Sequence, residues 1–294
     1  MSAGEPRVSV VVLTHDRPRE LSHALSELSA LPEQPPIIVV DNASRPGVVA
    51  EVLARFPAVD GVRCALNRGA AGRNAGVARV ATRYVAFCDD DTWWAPGALR
   101  RAADLLDAHP SIAALSARVL VGDDAREDPT CRAMAQSPLP RGTLPGPPLI
   151  GFMAGACVMR TAAYRAVGGY EQRLFLGAEE WLMALDFAAH GWHVVYAHDV
   201  VTHHHPSPNG RDTVARRIAV ARNKVWIACM RLPPSSALVE SARALRDVAQ
   251  AGLLPRVLRE TVRGLPWALQ RRCVVPKQVA AMVRLAMQPA GRLH

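Results

Sequence analysis

Tyr84-Val85-Ala86-Phe87-Cys88-Asp89-Asp90-Asp91-Thr92-Trp93-Trp94 is an apolar, β-prone run that passes straight into three carboxylates and then two indoles. This order predicts a buried strand whose C-terminal end carries charge to a sheet edge, where open α/β sheets bind their ligands. Asp89 and Asp91 are two apart, so an extended backbone points them the same way. Two hard oxygen donors converging on one point suit Mg2+ or Mn2+, with substrate phosphates completing the octahedron. The alternative is a solvated acidic turn. The apolar run before the acids and the aromatic pair after them weigh against it.

Outward from this strand the pattern repeats. Arg7–Leu13, Pro36–Asp41 and Val62–Leu66 are apolar runs of the kind found in strands covered on both faces. Helical periodicity follows at Arg19–Leu31, at Gly47–Phe56 and from Asn67–Gly76 to about Thr82. Strand and helix thus alternate four times, which predicts a mostly parallel α/β sheet with its chemistry at the strand C-termini.

Further on, Gly97–Ala108 reads as a helix and Ile112–Val121 as a strand. Residues 122–148 are rich in Pro, Gly, Asp and Arg and read as a functional lid or an unstructured loop. Small apolar residues fill 149–159, and helices are expected at Thr161–Val167 and from Ala178 to about His190. Trp192–Tyr196 and Val200–His204 read as two short strands. From Arg211 the pattern is helical, punctuated by Pro233-Pro234, Pro255, Pro266 and Pro276.

At 294 residues and 50% hydrophobic, the chain can bury one large core or two modest ones. Its six cysteines are scattered without a CxxC pair, which fits a reducing compartment rather than a disulfide framework. The N-terminal apolar run is too short for a secretory signal, and no stretch approaches the roughly 18–20 apolar residues of a membrane span. Charge is uneven. Residues 211–294 hold 16 Lys/Arg against 4 Asp/Glu, while the whole chain carries +9. A basic tail on a near-neutral body implies an anionic partner, a membrane surface or a polyanion.

Four other constellations could carry chemistry. Asp41 ends a strand, where an acid can accept from a ribose or a base N–H; it can equally be a turn residue. Gly69-Ala70-Ala71-Gly72-Arg73-Asn74 is a loose phosphate loop without a P-loop ending, yet Arg73 and Asn74 stand near a helix start and could reach a diphosphate. Glu179-Glu180 opens a helix, where acids suit the dipole, but it also follows a Gly-rich stretch as a general base would. In His203-His204-His205 the first and third share a strand face, and one or two of the three could ligate a metal.

Together these pieces resemble the family-2 inverting glycosyltransferases. The resemblance rests on the Thr14-His15-Asp16-Arg17-Pro18 opening, Val40-Asp41-Asn42-Ala43-Ser44, Asn67-Arg68-Gly69 with Gly72-Arg73-Asn74-Ala75-Gly76, Asp89-Asp90-Asp91, Gly155-Ala156, Glu179-Glu180 and the histidines, in that order over about residues 7–230. It implies a GT-A-like domain over 1–230, with a donor half at about 1–121 and an acceptor half at about 149–230, then a basic helical extension over 231–294. It implies a nucleoside-diphosphate-sugar donor held by Thr14, Arg17, Asp41, Arg73, Asn74, Asp89 and Asp90. It further implies a divalent metal, Mn2+ or Mg2+, on Asp91 and Asp89 with His203 or His205. The family's usual Glu-Asp pair is Glu179-Glu180 here, and the downstream aspartate of that motif is replaced by Leu182 and Met183. The base role therefore passes to Glu180, with Glu179 in reserve.

The implied reaction is a single displacement by an acceptor hydroxyl, inverting the anomeric carbon. A carbohydrate, lipid-linked or small-molecule acceptor would place a hexosyl- or deoxyhexosyltransferase in cell-envelope, glycolipid or natural-product chemistry. The tail alternates Val257-Leu258, Thr261-Val262, Leu265 and Trp267-Ala268-Leu269 with arginines. This reads either as an interfacial helix on an anionic membrane or as a packed cap. A cytoplasmic protein, peripheral on the inner membrane face, is the matching expectation. Two rivals are a sugar nucleotidyltransferase and a non-catalytic sugar-nucleotide or polyanion-binding module. The first strand–helix loop lacks the Gly-rich basic signature of the former. Nucleic acid is not expected, because no aromatic stacking pattern accompanies the basic residues.

Overall fold

The computed structural model describes residues 5–207 and 213–287. The helical onset expected at Arg211 and the end of the tail past 287 lie outside the described residues. The chain begins with β1 (Val8–Thr14), α1 (Pro18–Ser29), β2 (Ile37–Asp41), α2 (Val48–Leu53), β3 (Asp60–Arg63), α3 (Arg73–Val77) and β4 (Tyr84–Asp89). These four strands are parallel, ordered β3-β2-β1-β4. Covered on both faces, β1 is apolar but for Ser9 and the terminal Thr14. Val8, Val10 and Val12 pack against Leu21, Leu25 and Leu28 of α1, while Val11 packs beside Val77 of α3 on the opposite face. Each of those leucines, fully buried, contributes about 1.5–3 kcal/mol of transfer free energy.

α3 is far shorter than its sequence pattern predicts: a 3-10 turn takes up Gly69–Gly72, and the helix ends at Val77 instead of near Thr82. It lies hard against the sheet. A Cβ at Gly76 would stand 2.5 Å from Val11 and 2.9 Å from Val40.

Next come β5 (Thr92–Trp94), α4 (Ala98–Ala108), β6 (Ile112–Val121), β7 (Arg126–Glu127), α5 (Pro129–Ala135), β8 (Pro148–Leu149), β9 (Ala156–Arg160), α6 (Thr161–Ala166), α7 (Glu179–Ala189) and β10 (His193–His204). β9 runs antiparallel between β4 and β6, and β5 runs antiparallel to β10. The sheet is therefore parallel in its first half and mixed in its second. β10 replaces the two short strands expected: a bulge after Ala197 takes up the extra residues, so both halves stay on the ladder of β6.

Residues 122–148 are neither an unstructured loop nor a lid over the cavity described below. Asp128 caps α5 by accepting from Thr130 N at 2.7 Å, Pro129 starts the helix, and Cys131 and Met134 bury into the main core. Capping and two buried anchors order a stretch that carries no periodicity of its own.

The C-terminal part is helical: α8 (Thr213–Arg231), α9 (Pro234–Ala249), α10 (Leu254–Gln270) and α11 (Lys277–Ala286). Trp181 and Leu185 of α7 share one apolar cluster with Trp226 and Ile227 of α8, Ala268 of α10, and Val279 and Val283 of α11. α10 approaches α8 so closely that a Cβ at Gly264 would meet the Trp226 ring at 2.1 Å. These helices thus cap α7 and share its core. α10 still leaves Leu258, Val262 and Leu269 exposed, at 41%, 65% and 51%. No helix among the described residues is long and apolar enough to cross a membrane.

Candidate active site

Parallel pairing sets Thr14 beside Asp41 and Leu13 beside Asp89, so β1, β2 and β4 end at a common edge. β4 stops at Asp89, and Asp90-Asp91 turn the chain into β5. The three acids then face different partners. Asp89 pairs with the buried guanidinium of Arg73. Asp90 accepts from Thr14 Oγ1 at 2.9 Å and from Arg17 Nη1 at 2.5 Å. Asp91 accepts from Arg17 Nη2 at 2.9 Å and lies 3.6 Å from His204 Nε2.

Burial raises the Asp90 carboxyl to about 7, against the opposing pull of Arg17. Burial would raise Asp91 as well, but His204 and Arg17 hold it below the ordinary carboxylate value. Burial works against the Arg73 charge, but Asp89 outweighs it and Arg73 stays protonated.

A cavity of about 780 Å³ opens at this edge. Asp89, Asp90 and Arg73 line one wall. Glu179 and Glu180, at the first turn of α7, line it from the other half of the sheet. The chain reaches that position through Gly177 and Ala178, both at positive φ (100° and 65°). Asn223 of α8 holds this loop by donating from Nδ2 to the carbonyls of Gly177 at 2.7 Å and Leu174 at 2.8 Å. Burial lifts both glutamates above the ordinary carboxylate range, and the charge of Glu179 lifts Glu180 further. Glu180 keeps more exposed surface than Glu179, which is 5% exposed. The pair therefore combines a cavity-facing carboxyl with proton affinity near the neutral range, as a general base needs.

Several expected site residues stand elsewhere. Asn74 does not line this cavity. Its Oδ1 accepts from Tyr170 N at 3.0 Å and Tyr164 Oη at 2.5 Å, and its Nδ2 donates to Tyr170 O at 2.9 Å. It clamps the chain after α6. Asp41 lines a second, smaller cavity of about 390 Å³ beside Arg63 and Gly47. There it accepts from Ser44 N at 2.8 Å and pairs with Arg63, so it is a turn residue as well as a strand-end acid. The rings of His203 and His205 gather around Trp93, with centroids 5.7 and 4.8 Å away, and neither pairs with the Asp91 carboxylate among the described residues. The imidazole that meets Asp91 is His204, because side chains alternate along β10.

Sequence reasoning assigned no role to Asn42, yet it organises the loop before α3. Its Nδ2 donates to Asn67 Oδ1 at 2.9 Å and Gly69 O at 3.0 Å, and its Oδ1 accepts from Arg68 N at 2.9 Å. Nor did it assign the arginines of the outer cavity wall: Arg173, Arg216 and Arg222, and Arg256 of α10. Only the register of distant helices brings these to the site.

The carboxylates suit a hard divalent cation. Asp91 Oδ1 is buried without a hydrogen-bond partner among the described residues, and Asp89 is partly open to the cavity. No cluster of three or more ligating side chains occurs among the described residues. Such a donor set fits an ion that takes most of its coordination from substrate oxygens and water.

The family model for glycosyl transferase family 2 matches residues 9–168. Two curated relatives, both N-acetylglucosaminyl-diphospho-decaprenol L-rhamnosyltransferases of Mycobacterium tuberculosis strains, are 26% identical over 249 residues, covering 71% of this chain and 80% of theirs. Among solved structures, the mannosyltransferase PcManGT from Pyrobaculum calidifontis, in complex with GDP-Man and Mn2+, aligns with a TM-score of 0.56 and 21% identity over 96% of this chain and 85% of its own. S. aureus TarS 1-349 in complex with UDP-GlcNAc aligns with a TM-score of 0.63 and 16% identity, over 94% and 83%. These likenesses establish the GT-A fold expected from the resemblance. Glu179, Glu180 and α8 to α11 lie beyond the matched family segment.

Proposed function

The chain belongs to glycosyl transferase family 2, and from that premise we propose a sugar transfer from a nucleoside-diphosphate sugar to an acceptor hydroxyl, inverting and aided by Mn2+ or Mg2+. The observation that carries this reading is the convergence of Asp89, Asp90, Arg73 and Glu180 on one cavity from opposite halves of the sheet. The donor lies over the ends of β1 and β4, with Arg73 facing its diphosphate and Thr14 and Arg17 holding Asp90. Asp41 sits one strand further out, beside Arg63, where a nucleobase or ribose fits.

Asp89 and Asp91 would hold the cation, with His204 as the imidazole beside Asp91. The bound ion would offset negative charge on the departing nucleoside diphosphate. Glu180 takes the proton of the acceptor hydroxyl as its oxygen attacks the anomeric carbon. The bond to the diphosphate oxygen breaks in the same step, which inverts the centre. Glu179, beside it, keeps the pair's proton affinity high.

The two relatives are named for transfer to a sugar on a diphospho-decaprenol. We take from them a lipid-linked acceptor of the cell envelope for this chain, with a deoxyhexose or hexose as the group transferred. The exposed stripe Leu258-Val262-Leu269, flanked by Arg259 and Arg263, supports peripheral contact with the anionic inner face of a membrane.

A thermal-shift panel of nucleoside diphosphates and nucleotide sugars, with and without Mn2+, tests the donor site, since a ligand of the folded state raises Tm. A shift for one diphosphate that requires Mn2+ is expected. No shift with any member of the panel would remove the donor reading.

A further inference from the structure

We propose that the outer wall of the main cavity is a subsite for the anionic diphosphate of a prenyl-linked acceptor, built by Arg216 of α8 and Arg256 of α10. That the ligand is an acceptor rests on the proposed sugar transfer; the anion subsite itself does not.

The cavity has two electrostatic faces. Its inner wall carries Asp89, Asp90, Glu179 and Glu180 against Arg73 and Arg17, which are already paired with Asp89 and Asp90. Its outer wall carries Arg173, Arg216, Arg222 and Arg256 against a single acid, Glu260. Glu260 is already committed: it lies 3.1 Å from Arg222 Nη1 and 3.5 Å from Arg256 Nε. Arg222 is further engaged over the Trp226 ring at 4.6 Å, and Arg173 stands over the Trp267 ring at 5.3 Å. Arg216 is exposed and makes no ion pair among the described residues, although its charge is felt by Glu179 across the cavity. One carboxylate therefore serves several guanidinium groups that converge from separate elements. Guanidinium groups bind phosphate oxygens with short, charge-assisted hydrogen bonds, and a diphosphate offers enough oxygens for two of them.

The surroundings indicate what carries that anion. Phe175 and Leu176 line the same cavity and remain 43% and 47% exposed, with Phe175 packed beside Gly69, so exposed apolar surface shares the cavity with the arginines. An anionic headgroup joined to hydrocarbon matches this combination of cationic and apolar surface. A nucleoside diphosphate, polar at both ends of its phosphates, does not. The opposite wall keeps Glu180 facing the same space, so a sugar hydroxyl attached to the diphosphate would point toward the base. Residues 122–148 contribute nothing to this wall.

Farnesyl diphosphate is the probe, measured by calorimetry on the full chain alongside farnesol, inorganic diphosphate and the nucleoside diphosphate panel with Mn2+. Wild-type protein should bind farnesyl diphosphate more tightly than farnesol or inorganic diphosphate. The double substitution Arg216→Gln/Arg256→Gln should weaken farnesyl diphosphate by about tenfold or more, the loss expected for one charged hydrogen-bonded contact, and leave nucleoside diphosphate affinity within about twofold. Both side chains are exposed, so folding should survive, and unchanged circular dichroism would verify it. Unchanged farnesyl diphosphate affinity in the double variant would overturn the subsite. Equal loss of nucleoside diphosphate binding would assign these arginines to the donor and overturn it as well. Inorganic diphosphate binding as tightly as farnesyl diphosphate would overturn the lipid assignment. Failure of the transfer reading shows separately, as a nucleotide panel without response.

Discussion

Nη1 of Arg17 lies 2.5 Å from Oδ1 of Asp90, across 73 residues of sequence, and the same guanidinium reaches Asp91 with its other nitrogen at 2.9 Å. One cation thus joins two adjacent buried carboxylates, and Asp89 is left to Arg73. Even so, burial holds Asp90 at about 7. Asp90 is thus held partly protonated near neutral pH, close to where a cation and a diphosphate would have to arrive.

That raised value gives a sign to the pH dependence of stability. The folded state binds the Asp90 proton more tightly than the unfolded chain does, where the value is 3.8. Its contribution is therefore present at low pH and is lost as pH rises from about 4 to about 7. Asp90→Asn removes the titration while keeping an oxygen for Thr14. The variant should gain stability relative to wild type between about pH 5 and about pH 7.5 in denaturant titrations. Parallel curves would show that Asp90 is ionised throughout.

Glu180→Gln should keep nucleoside diphosphate affinity while kcat falls by about 10²- to 10⁴-fold, the range for a lost general base. Because burial and Glu179 raise Glu180, the wild-type rate should climb with pH well past the usual carboxylate range. Full activity in Glu180→Gln, with collapse in Glu179→Gln, would move the base by one residue.

Asp91→Ala should abolish Mn2+-dependent binding of a nucleoside diphosphate, read by the paramagnetic signal of bound Mn2+. His204→Ala should weaken it, whereas His203→Ala should not, since His203 stacks on Trp93 instead. Equal effects of the two histidine variants would contradict the face assignment.

Asn42→Ala leaves Gly69 O and Arg68 N without their partner, and each orphaned buried group costs about 1–3 kcal/mol. The loop over 67–72 should then loosen. A lower denaturation midpoint with faster amide exchange at Gly69–Gly72 is the expected pair of results. Loss of stability without faster exchange there would mean the loop is held by Phe175, whose carbonyl accepts from Ala70 N at 2.7 Å.

Truncating the tail cannot test membrane contact, because α10 and α11 share the core of α7. Replacing Leu258, Val262 and Leu269 with serine leaves that core intact. The triple variant should sediment less with vesicles containing anionic lipid, at unchanged Tm. Equal sedimentation would mean that this stripe does not meet lipid.

Much of the first half of the sheet was legible because its signals are local. Apolar runs buried on both faces mark β1, β2 and β4, and a strand that ends in carboxylates must deliver them to the sheet edge. Glu179 and Glu180 were likewise legible as a pair at a helix start. What tertiary structure alone decided is which groups meet. Arg17 reaches Asp90 only because β1 and β4 are neighbours in register. His204, not His203, meets Asp91 because alternation along β10 is set by its pairing with β5 and β6. Asn74 leaves the cavity because Tyr164 and Tyr170 satisfy its amide from 90 and 96 residues away. The cationic wall exists only once α8 and α10 fold back over α7. Local periodicity specifies an element and its faces; long-range packing specifies the partner across the gap, and the site is made of those partnerships.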